Sequence, residues 1–166
     1  MPSANNPPSY DQMRGDSART GRRPRIRRKL GKLLKLEPSD WGILVRAVYL
    51  LALLELLQNR MSLPRLVAQF DAKSGHKMPS IPPQRLIRLI DGLLSVIYQK
   101  DHCMERSFIL FHFLRRFGEP AVLCFGVQRS GRRLDGHAWI ELDGRPFFEP
   151  ADPRRTYRTT YVYPMI

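Results

Sequence analysis

From Trp41 to Leu57 the chain reads WGILVRAVYLLALLELL, apolar on nearly every turn of a helix and broken only by Arg46 and Glu55. Pro38-Ser39-Asp40 opens this helix, with Ser39 or Asp40 as the expected N-cap, and the pattern runs to about Asn59. A shorter helix is expected around Leu63–Phe70, and AKSGHKMPSIPP (72–83) reads as a loop by its Gly, Pro and Ser content. Pro82 and Pro83 suit the first turn of a third helix, whose Leu86, Ile87, Ile90, Leu93, Leu94 and Ile97 fall at helical spacing. A fourth helix begins with Cys103 in its first turn, with Asp101 as its expected N-cap, and ends at Gly118. It is apolar almost all round, so it belongs in the middle of the domain.

The period then changes from helical to alternating. AVLCFGVQ (121–128) and GHAWIEL (136–142) read as strands joined by a turn at Arg129–Arg132, and an Asp143-Gly144 hairpin turn leads to a third strand, PFFE (146–149). Helices first and an antiparallel sheet afterwards make an α+β domain.

Charge changes the picture less than its size suggests. The 166 residues carry 28 Lys plus Arg against 15 Asp plus Glu, a formal +13. Residues 1–38 hold ten basic and three acidic residues, hence +7, while 39–166 hold +6. The first 24 residues lack apolar periodicity and are expected to be a disordered tail, followed by a short basic amphipathic run, IRRKLGKLLKL. The domain proper is therefore placed at 39–166. The run before Trp41 and the apolar stretch after it imitate a signal peptide. The longest uncharged stretch there, AVYLLALL, is too short to span a bilayer, and no small-x-small cleavage pattern follows, so the expectation is a cytoplasmic protein. No CxxC, metal-ligand His spacing or Gly-rich phosphate loop occurs, so neither metal nor cofactor is expected.

What remains is an order of residue types: a Cys at a helix start, a His on a strand, acids beyond the next turn. A helix N-terminus favours the thiolate through unpaired N–H groups and the helix dipole. A neighbouring imidazole takes the thiol proton and returns it to a leaving amine, and a carboxylate on its far nitrogen fixes the tautomer. Cys103 and His137 fit the first two roles. Cys124, in an apolar strand, is expected to be inert.

CMERSFILFHFLRRFGEPAVLCFGV and GHAWIELDGRPFFEP carry a family likeness. The stretch from Cys103 to Asp152 resembles the transglutaminase-like, papain-type superfamily, and within it the lasso peptide biosynthesis B2 proteins, the leader-peptide proteases of that pathway. The matching features are Cys103 with Arg106 three residues on, Gly118 closing the helix, Gly126-Val127 ending the strand, and His137-Ala138-Trp139 heading the block. The resemblance implies a Cys–His–acid triad that cuts a precursor peptide between leader and core through a thioester. Cys103 would be the nucleophile and His137 the general base. It implies as partners a precursor peptide, a separate leader-recognition protein and an ATP-dependent macrolactam synthetase. The family usually has Asp twelve residues beyond the His, where this chain has Glu149. Strand parity speaks for Asp152 instead: a two-residue turn pairs Leu142 with Arg145, sets His137 opposite Pro150 and turns Glu149 to the other face. The third position is assigned to Glu149, since bulges are common near active sites, with Asp152 as the alternative.

Gln99 is the candidate oxyanion donor, as a Gln is in papain-like enzymes, against the plainer reading of a polar helix end. Trp139 either walls the site or is core, Glu141 is a structural ion partner, and Arg106 has no partner legible in the sequence. Two other functions compete: another transglutaminase-like thiol acyltransferase or hydrolase, and a non-enzymatic protein whose basic tail binds nucleic acid or anionic membrane. The leading reading expects no nucleic acid and gives membrane contact by the tail a secondary place.

Overall fold

The computed structural model describes residues 37–72, 81–98 and 102–164. Residues 1–36 of the basic tail, most of the 72–83 loop, Gln99 and Asp101 lie outside the described residues. Four helices precede a four-stranded antiparallel sheet: α1 (Pro38–Leu57), α2 (Leu63–Phe70), α3 (Pro83–Ile97), α4 (Cys103–Phe117), β1 (Val122–Ser130), β2 (Arg133–Leu142), β3 (Arg145–Pro146) and β4 (Arg158–Tyr163). The α+β expectation holds.

The N-cap of α1 is Glu37 rather than Ser39 or Asp40, because Pro38 occupies the first helical position. Asp40 instead sits at the third position and accepts the Glu37 backbone N–H at 3.1 Å. Its carboxylate is buried and takes two hydrogen bonds from Arg85 of α3, at 3.0 and 2.9 Å. That guanidinium holds Asp40 below the usual carboxylate range and fastens the two helices together. α4 is the central element: Ser107 through Leu114 are all buried, with Phe108 edge-on to Phe70 of α2 and to Phe125 of β1. Gly118 ends it in the left-handed conformation at φ 90°, as only glycine does without strain.

The sheet order is β3-β2-β1-β4. Asp143 and Gly144, at φ 50° and 72°, form the expected two-residue turn, and Leu142 pairs with Arg145 as that turn dictates. The expected third strand PFFE shrinks to Arg145–Pro146. Phe148 adopts φ 52°, which ends the pleat and turns the chain off the ladder. β4 had no counterpart in the sequence reading, and it pairs with the other side of β1.

Phe125 packs on α4, so Leu123, Phe125 and their partners Ile140 and Ala138 form the helix-facing side of the sheet. Cys124, Gly126, His137, Trp139 and Glu141 share the opposite face. The connection from β3 to β4 covers that face, bringing Arg154 within 3.9 Å of Glu141 and Tyr157 over Gly126.

Candidate active site

Cys103 is the first residue of α4, capped by His102 in a non-helical conformation, and the first intrahelical bond is Arg106 N–H to His102 C=O at 2.9 Å. The N–H groups of the preceding turn positions, Cys103 among them, have no intrahelical acceptor and no acceptor among the described residues. Cys103 is half-buried and lines a cleft of about 770 Å³ together with His137, Glu149, Arg106 and Tyr157.

His137 Nε2–H donates to Glu149 Oε2 at 3.1 Å, the carboxylate side chain being 8 % exposed and the imidazole 22 %. Nδ1 is then the ring nitrogen left to accept a proton. The register matches the two-residue turn, yet Glu149 reaches His137, because parity ceased to apply where Phe148 left the ladder. Asp152 is engaged elsewhere. It caps the short 3₁₀ turn Pro153–Arg155 and takes Arg154 Nε and Nη2, both at 2.9 Å, and that guanidinium lowers its pKa.

Arg106, three residues past Cys103 on the same helical flank, has partners that lie far off in sequence. Its Nε meets Asp91 of α3 at 2.8 Å, its Nη1 meets Glu149 Oε1 at 3.5 Å, and its Nη2 points to the Phe148 carbonyl at 3.5 Å. One guanidinium thus holds both the kink and the acid that the kink delivers. Ser107, four residues past Cys103, donates from its buried hydroxyl to the Ala138 carbonyl at 2.8 Å, joining α4 to the residue beside His137.

The imidazole lies between aromatic neighbours. Tyr157 stacks on it at 5.0 Å between ring centres and Trp139 at 6.1 Å. Trp139 is fully buried and its indole N–H donates to Glu141 at 3.0 Å, so it is core and also flanks the site. Glu141 is an acceptor for Trp139, with Arg154 at 3.9 Å. Gly126, paired with His137 across the ladder, makes room for this packing. A Cβ there would stand 2.9 Å from Tyr157 Cβ and 3.0 Å from the Trp139 ring. Tyr157 was absent from the sequence reading, since an aromatic between two basic runs carries no local mark of its target.

Burial pushes the Cys124 thiol up to about 12, with nearby Glu141 adding to the shift. His112 is pushed down to about 4, by burial above all. Its Nδ1–H donates to Phe70 C=O at 3.1 Å and its Nε2 accepts Arg46 Nε–H at 3.0 Å. Both are structural. Among the described residues no helix is long and apolar enough to cross a membrane.

Comparison with curated proteins found no match, and comparison with solved structures found none. Residues 41–162 match a family described as the transglutaminase-like superfamily, a span that includes every element from the first turn of α1 to β4. With Cys103 heading the central helix and His137 on the adjoining strand, the chain belongs to the transglutaminase-like superfamily.

Proposed function

We propose that this protein is a cysteine peptidase that releases the leader from a ribosomally made precursor peptide, as the leader proteases of lasso peptide biosynthesis do. The observation that carries the reading is the His137–Glu149 contact in the cleft that Cys103 also lines. The thiol proton passes to His137 Nδ1 as sulfur bonds to the scissile carbonyl carbon, and the carbonyl oxygen takes up the negative charge. N–H groups at the start of α4 stabilise that oxyanion. As the C–N bond breaks, the imidazolium gives its proton to the departing amine and leaves a thioester on Cys103. Water, deprotonated by His137, attacks the thioester. The C–S bond then breaks, the acid product leaves, and the proton returns to sulfur. Glu149 keeps the proton of the resting imidazole on Nε2 and stabilises the imidazolium, while Arg106 positions Glu149.

Delivery of the precursor by a separate recognition protein and onward passage of the core to a macrolactam synthetase belong to the same reading. Support for the test comes from precursor cleavage with the recognition protein present. Cys103→Ala should lower it at least about 10³-fold, and unchanged cleavage would overturn the proposal. Product masses also separate hydrolysis from acyl transfer to an amine, since both pass through one thioester.

A further inference from the structure

β2 has ten residues, yet β3 covers its outer side only at Glu141 and Leu142. The Phe147 N–H donates to Ile140 C=O at 2.8 Å, and Ser107 reaches Ala138 C=O from the same side. Even-numbered residues of β2 therefore aim their backbone groups outward, and β2 pairs with β1 without a register shift. By that alternation the N–H and C=O of Gly136 and Leu134 also point outward, where none of the described residues pairs with them. This open edge lines the cleft of Cys103 and His137. Beside Gly136 the space is clear of side chains, since a Cβ there would meet only Gly126 O, at 4.0 Å. Leu134 is 74 % exposed, an apolar side chain with nothing to cover it.

Charge identifies what the edge receives. Arg132 and Arg133 lie at the hairpin end of β2, exposed and without an ion pair among the described residues, five and four residues from His137, with Asp135 between them and His137. At about 3.3 Å per residue they stand roughly 13–17 Å from the level of the chemistry. We infer that the substrate docks as an added strand on Leu134–Gly136, in extended form, with an acidic side chain four or five residues from the scissile bond at Arg132 and Arg133. This rests on the peptidase reading and names the substrate class of that site: a backbone-read extended peptide with an acidic end. Strand addition supplies affinity through main-chain hydrogen bonds, and the arginines fix which end lies where.

The test uses the full chain and two thiol reagents, a hexapeptide chloromethyl ketone with glutamate at its distal end and iodoacetamide. The readout is the ratio of their rates of Cys103 labelling, followed by mass spectrometry. N-methylation is scanned over each amide of the peptide reagent, which needs no protein variant. At least one position should lower the ratio about tenfold, the effect of losing an edge hydrogen bond. No sensitive position would overturn the inference. Gly136→Pro removes an outward N–H, a site where an edge strand tolerates proline, and should lower the ratio similarly. Arg132→Glu with Arg133→Glu should favour a lysine-ended reagent over the glutamate-ended one, and an unchanged preference would overturn the charge assignment. Failure of the peptidase reading looks different: precursor cleavage would then survive Cys103→Ala.

Discussion

Among the described residues the interior holds Cys124 and His112, and the cleft at the edge of β2 is lined by Cys103 and His137, with His102 at the cap of α4 beside them. Composition does not tell the pairs apart. Cys124 is enclosed on the sheet face opposite α4, where desolvation drives its thiol up to about 12 and leaves it a small apolar filler. Cys103, at a helix start, has unpaired N–H groups beside it and solvent in reach. His112 has both nitrogens committed, to a carbonyl and to an arginine. His137 has one nitrogen tied to a carboxylate and the other without a hydrogen-bond partner among the described residues, in a ring that lines the cleft. Chemical capacity here follows from which atoms are left without partners, and among the described residues the cleft brings such a sulfur and such an imidazole to one surface.

The sharpest way to break the contrast is alkylation. Iodoacetamide at pH 8 should modify Cys103 at least about 10³-fold faster than Cys124, whose burial both raises its thiol pKa and bars the reagent. Comparable rates, read by peptide mapping, would erase the distinction. Next comes the acid. Glu149→Gln should lower kcat by about 10²–10³-fold through loss of imidazolium stabilisation, whereas Asp152→Asn should stay within a few-fold. Equal losses would mean that contact with His137 does not select the working carboxylate.

Gly126→Ala should cost about 1–3 kcal/mol of stability by overpacking, because its Cβ would fall 2.9 Å from Tyr157 Cβ. It should also lower activity beyond what thermal melting explains, since both displaced rings stack on His137. His112, by contrast, affects only the pH dependence of stability. Its folded pKa of about 4 lies below the ordinary value of 6.5, so the unfolded chain binds the proton first as pH falls. Its contribution is full above pH 6.5 and lost towards pH 4, on the order of 3 kcal/mol. His112→Gln should flatten that part of the pH–stability curve, and an unaltered slope in denaturant titrations would assign the dependence to other groups.

Much of this was legible in the sequence because the signals were local. Cys103 before an apolar helix, Gly118 after it and Asp143-Gly144 between strands each carry their own mark, and together they place His137 on β2. Two features had none. Phe148 occupies a left-handed conformation that phenylalanine rarely adopts, so nothing announced that the ladder would stop before parity could carry Glu149 away from His137. Arg106 finds Asp91 and Glu149 through tertiary packing, fifteen and forty-three residues away. β4 is a different kind of omission: RTTYVY is β-branched and aromatic, a signal present but unread.

The Ser107–Ala138 bond has a mechanical consequence. Ser107 stands one helical turn after Cys103 and Ala138 one residue after His137, so a single hydroxyl ties together the two elements that carry the proposed nucleophile and base. On the peptidase reading, that tie limits how far the elements carrying the sulfur and the imidazole can part. Attack depends on the distance between those atoms, and a domain with this tie can be soft elsewhere without losing aim.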